Sequence, residues 1–285
     1  MRSLHIPGRS NILGSNGMAA TSQPLSTLEA ISILKRGGNA IDAAIAASAV
    51  QAVIEPNSTS IGGDCFALLS LKGKKPISVN GSGISPLKAN IDFFEKNKIN
   101  SIMPTSPHSV TIPGSIHAWF SMHKKFGYLD FQELFITAED YARNGFPIHE
   151  VVAKSWLENL EKLKQHSATN SIFLKNGKPY SFGETHKNIS LANTLKSIAE
   201  NGIKDFYEGY IAEDIVNTLN EAGGLHTMED FANQNTIFSD SLSNDYKGLK
   251  LHQCPPSGPG ITVLIMMAIL EKFDFNNISP ISTER

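Results

Sequence analysis

The sequence predicts an α+β fold in which helices are layered on antiparallel strands. Three observations carry that prediction: an alanine-rich helix that is apolar nearly all round, an apolar hairpin directly after it, and a helix-rich middle that gives way to strand and helix again near residue 250.

The first clear element begins at Pro24-Leu25-Ser26-Thr27-Leu28-Glu29. Ser26 followed three residues later by Glu29 is a capping-box pattern. Leu28, Ile31, Ile33 and Leu34 continue at mixed helical spacing, and Gly37-Gly38 supplies a stop. Asn39 restarts the chain into a helix over 40–54, ended by Pro56. Its lack of a polar face predicts burial between layers, with alanines allowing close approach by whatever covers it. The run 65–71 has strand length, 72–75 turns, and 76–80 returns as the second strand of a hairpin. Gly81-Ser82-Gly83 then interrupts regular structure. The middle is mostly helical by pattern, with helices predicted over 115–126, 131–144, 149–166 and 190–201. A turn at Gly223-Gly224 precedes a short helix opened by Thr227-Met228-Glu229-Asp230. A short strand over 248–254, a rigid loop over 255–260 and an apolar helix over 261–273 follow. No internal repeat or linker is found, so 1–285 reads as a single domain. The polar segment 274–285 has no evident anchor, and the chain reads as stopping in mid-fold.

Composition narrows the function. The chain has 285 residues, 41% of them hydrophobic, with a formal net charge of -2 and a mean hydropathy of -0.14. No basic excess is available to neutralise phosphates, which excludes a nucleic-acid or membrane-surface binder. The most apolar segment, 40–54, contains Asp42 and Gln51 and is too short to span a membrane. Cys65 and Cys254 are too far apart in sequence to suggest a disulfide framework or a metal site. The first fourteen residues carry Arg2, His5, Pro7, Arg9 and Ser10 without an apolar stretch, so no secretory signal is read and a cytoplasmic location is expected.

Seven segments, in order over nearly the whole chain, resemble the gamma-glutamyltransferase family. They are Gly17 to Ser26, Gly37 to Ala44, Glu55 to Phe66, Val110 to Ser115, Asp205 to Gly209, Gly223-Gly224-Leu225 with Asp230, and Tyr246-Lys247-Gly248 through Pro255-Pro256-Ser257-Gly258. The resemblance implies the αββα sandwich of N-terminal-nucleophile hydrolases, here its large-subunit portion and therefore incomplete. It also implies a precursor that cuts itself, so that the new terminal Thr of a small subunit acts as nucleophile with its own α-amine as base. That Thr lies in a Gly-Thr-Thr-His-like stretch, which this sequence lacks; Thr185-His186 stands outside any matching context. The resemblance thus places no catalytic residue in this chain. It implies no cofactor and no metal, and it implies two partners: a small-molecule amide substrate and a C-terminal small-subunit half.

The substrate wall is expected at Ser82 and Gly83. Glutamyl-specific members present an Arg there to the substrate carboxylate, a planar anion that suits a bidentate guanidinium. No Arg occurs between Arg36 and Arg143, and Ser82 holds the matching position. With Gly63-Asp64-Cys65, this resembles the glutamyltransferase-like branch, which includes proteins similar to cephalosporin acylases and oxamate amidohydrolase. The expected function is an amidohydrolase or acyltransferase on γ-glutamyl or related small amides. The alternatives are such a small-amide hydrolase, or a fragment or partner-dependent subunit without activity of its own.

Plainer readings stand beside these. Gly62-Gly63 reads as a tight turn more than as site wall, and Cys65 as a buried structural thiol. Asp42 suits the first turn of its helix. His117 and His123, six apart, do not share a helix face and are not read as a metal pair. Trp119, Phe120 and Phe126 read as core, and Pro255-Pro256-Ser257-Gly258 as a stiff entry to a helix.

Overall fold

The computed structural model describes residues 11–275, 278–279 and 281–283. The readings made for Arg2, His5, Pro7, Arg9 and Ser10, and the tail positions Asn276, Asn277, Pro280, Glu284 and Arg285, lie outside the described residues. By proximity of Cα atoms the chain divides into two compact units. One runs up to Ser60 and resumes over Met122–Gly202; the other comprises Ile61–Ser121 and the chain from Ile203 onward.

In the first unit the opening helix is Pro24–Lys35, beginning where the element was expected, but its N-cap is Gln23 and not Ser26. Proline at the first helical position has its φ already set and no N–H to lose, and Gln23 Oε1 caps Leu25 N at 2.5 Å. Ser26 is instead interior, its hydroxyl donating to the Ala47 carbonyl at 2.8 Å. The second helix is Ala40–Ile54, as predicted, with a reciprocal cap: Asn39 Oδ1 accepts from Ile41 and Asp42, while Asp42 Oδ2 accepts from Asn39 N at 2.9 Å. Asp42 is fully buried and also accepts from Tyr128 N at 3.1 Å and Leu129 N at 3.3 Å, so its role is structural. This helix packs on Pro24–Lys35 and on the helix Ile136–Asn144, burying Ile33, Ala46, Val50, Ala138 and Ala142.

Two predicted helices are broken. The stretch 131–144 is a 3₁₀ turn, Phe131–Phe135, followed by Ile136–Asn144. The stretch 149–166 divides into Glu150–Glu158 and Leu160–Lys164 at Asn159, whose amide donates to the Ser155 carbonyl at 2.9 Å. Such side-chain bonding competes with helix continuation. The helix Ile189–Asn201 lies within one residue of its prediction.

The second unit holds a three-stranded antiparallel sheet with Ile77–Gly81 in the middle, flanked by Cys65–Leu69 and Ile237–Asp240. The hairpin was predicted; the third strand was not. A separate hairpin pairs Leu242–Tyr246 with Leu249–Gln253, and only its second strand was legible, because Asn244 and Asp245 are poor strand formers. Val79, Ile112, Ile116, Phe206 and Phe231 form the core here. The helix Ser115–Phe126 begins and ends where predicted, and Met228–Ala232 is capped reciprocally by Thr227 and Asp230.

The apolar helix Gly260–Leu270 packs on the second hairpin, where Asn244 Nδ2 donates to the Leu264 carbonyl at 3.3 Å. Only Gly260 and Leu264 of this helix are buried; Ile265 and Ile269 are each 55% exposed. Phe66 and Leu68, alternate residues of the outer strand, are also exposed. Among the described residues no helix is long and apolar enough to cross a membrane.

Candidate functional site

The middle strand ends at Gly81, and the next residues form the turn that carries Ser82 and Gly83. Its backbone is held by side chains in place of a strand partner. Ser82 N donates to Asn80 Oδ1 at 2.9 Å, Gly83 N to Asp64 Oδ1 at 2.8 Å, Ile84 N to Gln234 Oε1 at 3.2 Å, and Leu87 N to Asp230 Oδ1 at 3.0 Å. Gln234 Nε2 returns a bond to the Ser82 carbonyl at 3.1 Å. Burial works to raise the Asp230 pKa, but bonds from Thr227 and the Leu87 amide outweigh it and hold the carboxyl below its usual range.

Behind the turn lies the segment Thr111–Ser115. Ile112 N donates to the Ile84 carbonyl at 2.9 Å, and Gly114 N and Ser115 N both donate to the Gly63 carbonyl, at 3.0 and 2.9 Å. A Cβ on Gly83 would collide with the Ile112 carbonyl oxygen, and one on Gly114 with the carbonyl of Gly81. These two glycines are required by close backbone approach. Tyr207, buried, locks the segment from the far side: its hydroxyl donates to the Pro113 carbonyl at 2.6 Å and accepts from His117 N at 3.0 Å.

Ser82 Oγ lies 3.2 Å from Ser257 Oγ, so the loop read only as a helix entry also supplies a hydroxyl beside the predicted wall. Asp64, Ser82 and Ser257 therefore offer a carboxylate and two hydroxyls around one turn, chemistry suited to hydrogen-bond recognition of a small polar group. The Gly62-Gly63 turn needs correction in its reason. Neither glycine has positive φ, and what Gly63 contributes is a carbonyl that takes two amides.

The remaining candidates fall to structural roles. Cys65 is half-buried, and burial above all pushes its thiol up to about 11; the nearby Cys254 and Asp64 charges raise it further, against a lowering bond from Trp119. It is protonated at neutral pH and no nucleophile. Cys254, remote in sequence, places its thiol 3.5 Å from the Ala67 carbonyl. His117 Nδ1 meets Thr236 Oγ1 at 2.7 Å, and burial lowers its pKa; His123 Nε2 meets the Leu129 carbonyl at 2.7 Å. Trp119 is buried, whereas Phe120 and Phe126 are half-buried. Thr185-His186 pairs as a short strand with Phe146–Pro147.

Sequence reasoning missed Asp64 as the Gly83 acceptor, Gln234 as the clamp on the turn, and Ser257 as the neighbour of Ser82. Gly63-Asp64 and Pro255–Gly258 were already marked as segments, so a signal existed for two of the three. Nothing local marks Gln234.

The sequence profile described as Gamma-glutamyltranspeptidase matches residues 26–285. A relative from Bacillus subtilis (strain 168), the Glutathione hydrolase-like YwrD proenzyme, is 35% identical over 269 residues, covering 94% of this chain and 51% of that protein. The chain spans about half the length of the curated relatives it matches. Among solved structures, gamma-glutamyltranspeptidase from Helicobacter pylori superposes with a TM-score of 0.89 at 29% identity, over 96% of this chain and 80% of that one. Cephalosporin acylase from Bacillus halodurans also gives 0.89, at 34% identity, over 96% of this chain and 53% of that one.

Proposed function

The chain belongs to the gamma-glutamyltranspeptidase family, and from that premise we propose that it is the large-subunit portion of a Thr-dependent amidohydrolase or acyltransferase of small amides. In this reading a small-subunit half supplies the terminal Thr. Its hydroxyl adds to the amide carbonyl while its α-amine takes the proton. Collapse of the adduct expels the amine and leaves an acyl-enzyme, and water or a second amine then takes the acyl group. This chain contributes the wall at Ser82 and Gly83.

The observation that carries the reading is the turn itself. The side chains of Asp64, Asn80, Asp230 and Gln234 fix Ser82–Leu87, and Ser257 sets a second hydroxyl against Ser82. The exposed apolar faces of Cys65–Leu69 and Gly260–Leu270 support the need for a partner half, since contiguous apolar surface marks interaction sites. A cytoplasmic location belongs to the same proposal and rests on the free thiols Cys65 and Cys254.

One observation favours a second reading of the substrate. Where glutamyl-specific members present a guanidinium, this turn holds a hydroxyl, with the Asp64 carboxylate bonded to the next amide. A free carboxylate on the substrate gains nothing there and meets a like charge. A small amide without that carboxylate fits better, as expected for a cephalosporin-acylase-like or oxamate-amidohydrolase-like enzyme.

The test is an assay of the native gene product against γ-glutamyl anilides, glutathione and small carboxamides, with Ser82→Ala and Ser82→Arg alongside. We expect small-amide turnover, a raised KM in S82A, and gain of γ-glutamyl activity in S82R. Absence of turnover on every amide refutes the enzymatic reading and leaves a partner-binding or inactive chain. No γ-glutamyl gain in S82R refutes the argument from the missing Arg.

A further inference from the structure

We propose that Gln234 is a positioning residue for the substrate, its side-chain carboxamide taking the place of a strand neighbour and fixing the Ser82–Ile84 turn. The inference rests on the amide-processing reading above, and it starts from the register of the sheet. Ile77 lies opposite Asp240 and Asn80 opposite Ile237, where the pairing stops. Continuing the same antiparallel register would set residue 83 against residue 234. The main chain does not continue it. Instead the Gln234 side chain reaches across and bonds both sides of residue 83: Oε1 accepts from Ile84 N at 3.2 Å and Nε2 donates to the Ser82 carbonyl at 3.1 Å.

A carboxamide carries the same donor and acceptor as a peptide group, so it can extend a ladder by one rung without adding backbone. Gln234 is itself 5% exposed and tied to its own chain by a bond from Nε2 to the Asn235 carbonyl at 3.2 Å. Its preceding helix, Met228–Ala232, is anchored to the same turn through Asp230 and Leu87 N. The side chain is therefore pre-set, and the turn takes its shape from it. With the sheet side held by Gln234 and the Gly83 amide held by Asp64, Ser82 Oγ is left directed at Ser257. There the turn presents a hydroxyl to a ligand.

The test compares Gln234→Met, which keeps length and volume but loses both bonds, with Gln234→Glu, which keeps the acceptor for Ile84 and loses the donor to Ser82. Both are made in the native gene product. Amide exchange at Ile84 should speed about tenfold in Q234M and stay near wild type in Q234E, as expected for one hydrogen bond lost or kept. KM for the amide substrate should rise about tenfold in both while kcat stays within twofold, the pattern of lost substrate positioning. If Q234M does not fold, Q234E still carries the KM arm. Unchanged Ile84 exchange in a folded Q234M, or a fall in kcat with KM unmoved, overturns the proposal. Faster Ile84 exchange in a protein that turns over no amide would confirm the clamp, refute its substrate role, and place the failure in the enzymatic reading.

Discussion

Tyr207→Phe is predicted to weaken the protein by about 3 kcal/mol. The substitution keeps the ring, which sits 5.0 Å from Phe206 and 6.5 Å from Phe231, so packing is preserved. What it removes is one hydroxyl with two bonds, to the Pro113 carbonyl at 2.6 Å and from His117 N at 3.0 Å. Burial holds the phenol pKa up, so the group is a standing O–H donor at any working pH. Each orphaned buried group costs about 1–3 kcal/mol. The carbonyl of buried Pro113 belongs near 2 on that scale. The His117 amide, in the first turn of Ser115–Phe126 with no intrahelical acceptor, adds about 1. At roughly 2–4 °C per kcal/mol for a chain of this size, the melting temperature should fall by about 6–12 °C. Urea unfolding is the assay: the midpoint should drop with the slope unchanged. A loss below about 0.5 kcal/mol would refute the account, because one ordinary surface substitution costs that much.

Three further outcomes follow from the same reasoning. Asp42→Ala should cost about 3 kcal/mol, since a buried carboxylate accepting from Asn39, Tyr128 and Leu129 amides is lost, and Asp42→Asn should cost less by keeping one acceptor; urea midpoints measure both. Burial holds the His186 imidazole down at about 4 inside the ring of Phe146, Trp156, Phe173 and Tyr180, against about 6.5 when unfolded. The unfolded chain therefore binds the extra proton first: stability is complete above about 6.5 and falls by about 3 kcal/mol as pH drops toward 4, a slope that His186→Phe should flatten in pH-resolved melts. With its thiol raised to about 11, Cys65 should alkylate about a hundredfold more slowly at pH 8 than a free cysteine, read by peptide mass spectrometry; equal rates would contradict its burial.

How far the sequence revealed the molecule depended on the span of each cause. Ala40–Ile54 and Ser115–Phe126 were found to the residue, because the Asn39 start of the first and the apolar spacing of the second are local. The start of Pro24–Lys35 was found, but its cap was misread because two start signals competed, and Pro24 with Gln23 prevailed over Ser26 and Glu29. The strand Ile237–Asp240 was missed since its partner lies some 160 residues earlier, at Ile77–Gly81, and its own four residues carry little alternation. The proposed wall followed the same rule. Gly81-Ser82-Gly83 was legible as a break in a strand, and the family resemblance gave it meaning. The side chains that shape it, Asp64, Gln234 and Ser257, come from distant segments that only the folded chain brings together.

The most direct test of the central claim is the mass and N-terminal sequence of the protein purified from its native gene. The account predicts two polypeptides that co-purify, the smaller beginning with Thr, and amide turnover that stops when that terminal residue is blocked. A single uncut polypeptide, or turnover untouched by the block, would contradict it.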